Sequence, residues 1–162
     1  MPIENAQAMF THELQDMYSA EHEILDTLEE LANETDDEDI AEVFRQHRNE
    51  TEGQIDRLEQ VFEEVGESPS KEECEGIQGL VKEHEELKSM EPSSDVLNLA
   101  NTMSAEKTEH YEIAAYSNLS KLAERIGLDQ APGLLQQNLQ EEEQMLNRLE
   151  DLTDEYDYER IS

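Results

Sequence analysis

The sequence predicts an all-α protein: four long helices in an antiparallel bundle, with a long crossover carrying a short fifth helix. Three observations carry that reading. Apolar residues recur with the 3.6-residue period of a helix through four long stretches and one short one. Only 6 glycines and 4 prolines occur, and Gly66, Pro69, Pro92 and Gly127 fall between those stretches. The stretches come in the order long, long, short, long, long, which pairs them as two hairpins joined by a crossover.

The first helix follows Leu14, Met17, Ile24, Leu25, Leu28 and Leu31 and should end near Asn33. The acidic run from Thr35 to Asp39 is a polar turn with several candidate N-caps. A second helix follows Ile40, Val43, Phe44, Ile55, Leu58, Val61, Phe62 and Val65, and is stopped by Gly66 and Ser68-Pro69. Ser70 and Glu73 have capping-box spacing and should open the short helix through Ile77, Leu80, Val81 and Leu87. Pro92 and its polar neighbours break it. The fourth helix should run from about Val96 to Ile126, with Ala100, Ala105, Ala114, Ala115 and Ala123 leaving room for neighbours. Gly127 suits the position after its C-cap, and Pro132 the first turn of the last helix. That helix carries Leu134, Leu135, Leu139, Met145, Leu146, Leu149 and Leu152. The expected division is a bundle over residues 1–156 and a charged tail over 157–162.

Charge dominates the composition. The 162 residues include 43 acidic and 11 basic side chains, a formal charge of −32. No basic stripe exists to displace counterions from phosphates, so nucleic-acid binding is not expected. No segment approaches the ~20 apolar residues of a membrane helix, and no basic stretch leads into an apolar run at the N-terminus. A cytoplasmic protein is therefore expected. Repulsion among so many acids weakens a compact state in dilute buffer, whereas molar salt shortens the Debye length to about 3 Å. The surface is read as halophilic. The single cysteine, Cys74, excludes an intramolecular disulfide.

The chemically informative residues are acids that interrupt apolar stripes. Glu21 falls on the line of Leu14, Met17, Ile24 and Leu28. His47, Glu50 and Gln54 lie between Phe44 and Leu58 on the second helix. Glu109 and Glu112 share the line of Ala105, Tyr116, Leu119 and Ala123, and Glu142 sits between Leu139 and Met145. A buried carboxylate is costly unless it is paired, protonated or bound to a metal. Acids on the inward line of all four long helices fit a dinuclear carboxylate site, and oxygen-rich ligands suit iron or manganese. Counted from the turn near Asp36, Glu21 and Glu50 should be level. Counted from Leu128, Glu112 should be level with Glu142. Of the other histidines, His12 and His84 are expected at the surface, and His22 and His110 beside an apolar stripe.

Tyr18-Ser-Ala-Glu21, His47-x-x-Glu50-Thr51-x-x-Gln54, Glu109-His-Tyr-Glu-Ile113 with Tyr116, and Leu139 before Glu141-Glu142-Glu143 resemble the YciF-like stress-response family of the ferritin-like superfamily. The resemblance spans nearly the whole chain. It implies an antiparallel ferritin-like bundle, a homodimer, a di-metal centre and a role in stress. The superfamily pattern places single glutamates on two helices and Glu-x-x-His on the other two. Glu21 and Glu109 match the single acids, Glu112 is an additional candidate, and Glu50 and Glu142 match the acids of the paired motif. Gly53 and Met145 stand where the pattern has histidine, leaving His47 and Gln54 as the available substitutes. Two functions follow as expectations: a di-iron or di-manganese protein acting on peroxide or iron, or a metal-free helical protein that works by dimerisation or partner binding with a vestigial site.

Overall fold

In the computed structural model, which describes residues 2–70 and 72–162, five α-helices form the protein. They are α1 (Ala6–Glu34), α2 (Glu38–Val65), α3 (Glu75–Lys88), α4 (Ser94–Arg125) and α5 (Ala131–Asp154), followed by a 3₁₀ turn at Tyr158–Ile161. No strand occurs among the described residues.

The helix ends are set by local chemistry. The Asn5 side chain caps α1 at Ala8 N, and Asp37 caps α2 by accepting from Asp39 N and Ile40 N. Gly66 closes α2 at φ 73° and Gly127 follows α4 at φ 79°, left-handed conformations that glycine adopts without strain. Ser93 caps α4 through Val96 N, so the helix begins at Ser94, two residues before the expected start. The capping box expected at Ser70 does not form. Cys74 occupies the N-cap of α3 without a side-chain bond, because Ser70 is held instead by Gln15 Oε1.

The two hairpins, α1–α2 and α4–α5, pack as a four-membered ring in which α1 also meets α4 and α2 also meets α5. The crossover lies along α1 in the same direction. Ser70, Glu72 and Cys74 bond to Gln15, Ser19 and Glu23, and Lys88 reaches Glu34 at the far end. The chain therefore enters α4 beside the end of α1, where Asp36 and Thr35 bond Asn98 and Asn101. Each ring neighbour is thus antiparallel, the expected one-crossover ferritin-like arrangement. Beyond α5, Tyr156 donates to Asp95 O and Arg160 pairs with Asp95 at 2.5 Å, so these residues pack back on the start of α4.

Apolar layers fill both ends of the bundle. Phe10, Leu14, Met17, Phe62, Leu135 and Ala123 belong to one end, and Leu28, Leu31, Ile40 and Phe44 to the other. Between them the middle is polar, and it holds the site.

Two glycines of α3 make a paired test of this packing. A Cβ on Gly76 would lie 2.6 Å from the Tyr111 ring, whereas one on Gly79 would meet nothing within 4 Å. Gly76→Ala should lower stability by about 1–3 kcal/mol as Tyr111 is displaced. Gly79→Ala should raise it by roughly 0.5–1 kcal/mol through helix propensity. Urea denaturation of both variants checks the difference in sign.

Candidate metal centre

Every long helix contributes to one buried cluster. Glu21 from α1, His47 from α2, Glu109 and Glu112 from α4, and Glu142 from α5 are all at most 1% exposed. Ligand atoms from His47, Glu109, Glu112 and Glu142 lie within 4.8 Å of one another, an arrangement that can hold a metal ion. Glu21 borders them: its carboxyl interacts with Glu112, and Tyr116 on α4 donates a short hydrogen bond to its Oε1. Gln54 is buried beside Glu142 and favours its charge.

The helical arc explains which residues of α2 arrive. At 100° per residue, Phe44, His47, Thr51, Gln54 and Leu58 share one face, and all are buried. Glu50 falls at the edge of that face, only half buried, and accepts from Gln46 Nε2 at 3.3 Å. The structure therefore does not bring Glu50 into the cluster. His47, nearly one turn nearer the α1–α2 turn, instead brings its Nε2 beside Glu109 and Glu142. On α4 both candidates converge, since Glu109 and Glu112 are i,i+3 neighbours on the inward line.

The donor set fits a cation. His47 Nε2 stands 2.8 Å from Glu109 Oε1 and 3.7 Å from Glu142 Oε2, yet neither approach has hydrogen-bond geometry. Both oxygens of Glu109, Glu112 and Glu142, Oε2 of Glu21 and Oε1 of Gln54 also lack a hydrogen-bond partner. Buried polar atoms are rarely left so, and orphans concentrated at one point suit a bound cation or shared protons. Adjacent ligands on an octahedral ion with bonds of about 2.1 Å are roughly 3 Å apart, the spacing of His47 and Glu109.

Electrostatics gives the same answer. Two ionised carboxylates at 4.8 Å repel by roughly 3.5 kcal/mol at an effective dielectric constant of 20. Without metal the cluster must hold protons. Burial, then the neighbouring Glu142 carboxylate, raises the Glu21 pKa to about 8. Burial raises Glu109 and Glu112 well above the carboxylate range, with Glu142 adding to both. For His47, burial acts downward but is outweighed by Glu109 and Glu142, which raise it well above its ordinary value. Burial acts upward on Glu142, but the adjoining Glu109 carboxyl and His47 ring outweigh it and hold this carboxyl below its ordinary value. Metal-free, the cluster thus favours protons on Glu21, Glu109, Glu112 and His47 and leaves Glu142 the most acidic of its carboxyls.

A second layer fixes these groups. Thr51 Oγ1 donates to His47 O at 2.9 Å, and Asn138 Nδ2 donates to Gln54 O at 3.2 Å. Arg57 spans α2 and α5, donating to Asn138 Oδ1 at 2.6 Å and to Glu141 Oε1 at 2.9 Å. Neither Tyr116, expected in the core, nor Thr51 was expected to support the site. Their signal was position: Tyr116 is four residues after Glu112, and Thr51 four after His47. His84, expected at the surface, is buried on the inner line of α3, whereas His110 is exposed. His12 is exposed as expected, and His22 is half buried with its ring edge-on to Tyr18.

Comparison with known proteins agrees with this architecture. Residues 5–160 match the family described as a domain of unknown function, DUF892. The chain belongs to that family. Protein YciF of Escherichia coli K12 is 37% identical over 153 residues, covering 94% of this chain and 92% of YciF. The crystal structure of the E. coli stress protein YciF superposes with a TM-score of 0.87 at 36% identity, over 93% of this chain and 96% of that one. YcfI from Rhodopseudomonas palustris gives a TM-score of 0.88 at 35% identity, covering 91% and 94%. The chain is thus a homologue of a stress protein with the same fold. No helix among the described residues is long and apolar enough to cross a membrane.

The proton load of the metal-free site has a measurable sign. Glu21 binds its proton up to about pH 8 when folded, against an ordinary value of 4.5. Between those values the folded chain holds more protons than the unfolded one, so stability is lost as pH rises through the window. Raised His47 acts in the same direction, and lowered Glu142 contributes only as pH falls below 4.5. Chelator-treated protein should therefore show a Tm that falls from pH 5 to 8.5, with a shallower fall in Glu21→Gln. Equal slopes in the two proteins would count against a buried, protonated Glu21.

Proposed function

We propose that this protein is a ferritin-like stress-response protein whose central cluster binds two iron or manganese ions and acts on peroxide or iron. The observation that carries the reading is the set of orphaned carboxyl oxygens facing His47 inside the bundle. Charge balance favours two ions: Glu21, Glu109, Glu112 and Glu142 carry four negative charges when ionised, which two divalent cations neutralise. Oxygen donors with one imidazole suit iron or manganese over zinc or copper.

Glu109, Glu112, Glu142 and His47 would hold the metal, with Glu21 and Gln54 completing the set. When bound, two Fe(II) ions supply the two electrons that, with two protons, reduce the O–O bond of hydrogen peroxide to two waters. The protein's part is positional. Tyr116 holds Glu21 by its hydroxyl, while the Arg57–Glu141–Asn138 network locks α2 against α5 at the level of Gln54. Complete burial excludes bulk water and strengthens each of these interactions. The homology to a stress protein supports the physiological context. A homodimer in the cytoplasm belongs to the same proposal, and exposed Leu87, Met90, Val96 and Met103 around α3 and α4 are apolar surface that a second copy could cover.

Isothermal titration with Mn(II) tests the site. Wild type should take up two ions and release about four protons at neutral pH, from three glutamates and His47. Glu112→Gln and Glu142→Gln should each lower affinity at least tenfold. Glu50→Gln should bind as wild type does. No stoichiometric uptake, or equal uptake by all variants, would contradict the proposal.

A further inference from the structure

The crossover helix builds a second feature beside the cluster. Between α1, α3 and α4 lies a cavity of about 30 Å³, and His47 is one of its walls. It has room for a small molecule. Its inner wall is apolar, formed by Ile24, Leu28, Leu31, Ile77, Val81 and Ala105. Ser104, Thr108 and His84 supply polar atoms along it, and Thr27 and Glu30 also belong to the lining. At its outer rim Lys88 is tied to Glu34 at 2.6 Å and to Glu85 at 2.9 Å.

His84 is the feature that bundle packing does not explain. It is 8% exposed, and its Nε2 has no hydrogen-bond partner. Both ring nitrogens of His47 are also without one. A buried imidazole left unsatisfied carries a desolvation penalty, and it persists where a small polar molecule completes it. Burial, then the Lys88 ammonium, hold His84 below its ordinary value, so the neutral ring can both donate and accept.

We infer that this cavity admits and holds a small uncharged molecule with an O–O bond, hydrogen peroxide or dioxygen, between His84 and the His47 edge of the cluster. The inference rests on the proposed metal site for its purpose, but the cavity itself can be tested separately. Size and charge select the class. An apolar inner wall penalises any ion. An uncharged molecule of two oxygen atoms fits the volume. It is not repelled by an acidic surface, and peroxide can exchange hydrogen bonds with His84 and Ser104.

Two arms test it. In the first, methyl-labelled, metal-free full-length chain is placed under pressurised dioxygen and paramagnetic relaxation is read by NMR. The methyls of Ile24, Leu28 and Ile77 should relax faster than those of Leu14 and Leu135, which are buried away from the cavity. The excess should be lost when Val81→Phe or Ser104→Leu, on opposite walls, fills the space. No excess in wild type, or an excess that survives both substitutions, overturns the inference whether or not the protein binds metal. In the second, Fe(II)-loaded chain is mixed with hydrogen peroxide anaerobically, or with dioxygen, and iron oxidation is followed by stopped flow. Several-fold slowing by either filling variant with one oxidant assigns the cavity to that oxidant, and slowing with neither overturns the inference. If dioxygen enters but no metal binds, the metal proposal fails and the pocket stands.

Discussion

Desolvation of four carboxylates at the centre of the bundle is the constraint on which the rest of the structure depends. Glu21, Glu109, Glu112 and Glu142 lie where water cannot reach them, and ionised groups in such a place must be neutralised by protons or cations. The helices on either side are stabilised by ordinary apolar layers, which offset the strain of the polar middle. Phe10, Leu14 and Phe62 at one end, and Leu28, Leu31 and Phe44 at the other, bury completely or nearly so. The bundle can therefore tolerate a charged centre because its two ends are dry.

The same constraint explains the polar layer around the cluster. Arg57 joins Asn138 and Glu141 across the α2–α5 contact, and Tyr116 joins Glu21 across α1 and α4. These bonds fix the helices that carry the acids, and Tyr116 fixes Glu21 itself. The short α3 helix closes the open side between α1 and α4. It buries only Ile77 and His84 of its own residues, so its energetic contribution to the core is small. Its position over the His47 side of the cluster suits a cover more than a support.

Much of this was legible in the sequence. The apolar period of 3.6 residues and the breaks at Gly66, Pro69, Pro92 and Gly127 give the five helices in order. Acids on the inward lines of α1, α4 and α5 give most of the cluster, because burial follows helical phase and phase can be counted. On α2 the candidates were His47, Glu50 and Gln54, and the buried face through Phe44, Thr51 and Leu58 carries His47 and Gln54 while leaving Glu50 at its edge. Thr51 hid that face, since a threonine looks polar although its hydroxyl is satisfied by the backbone of His47. His84 was misplaced for a related reason: burial of α3 depends on how the crossover lies on the bundle, which no local pattern encodes. The Ser70–Glu73 spacing likewise lost to a tertiary bond from Gln15.

The central claim is that the converging carboxylates and His47 are a cation site, and crystallography can test it by direct sight. Crystals grown with Fe(II) under anaerobic conditions should show anomalous scattering at the iron edge inside the bundle. The account predicts two peaks about 3.5–4 Å apart, enclosed by Glu21, His47, Glu109, Glu112 and Glu142, with Glu50 outside. Peaks confined to exposed carboxylates, with the central oxygens still converging on empty density, would contradict it.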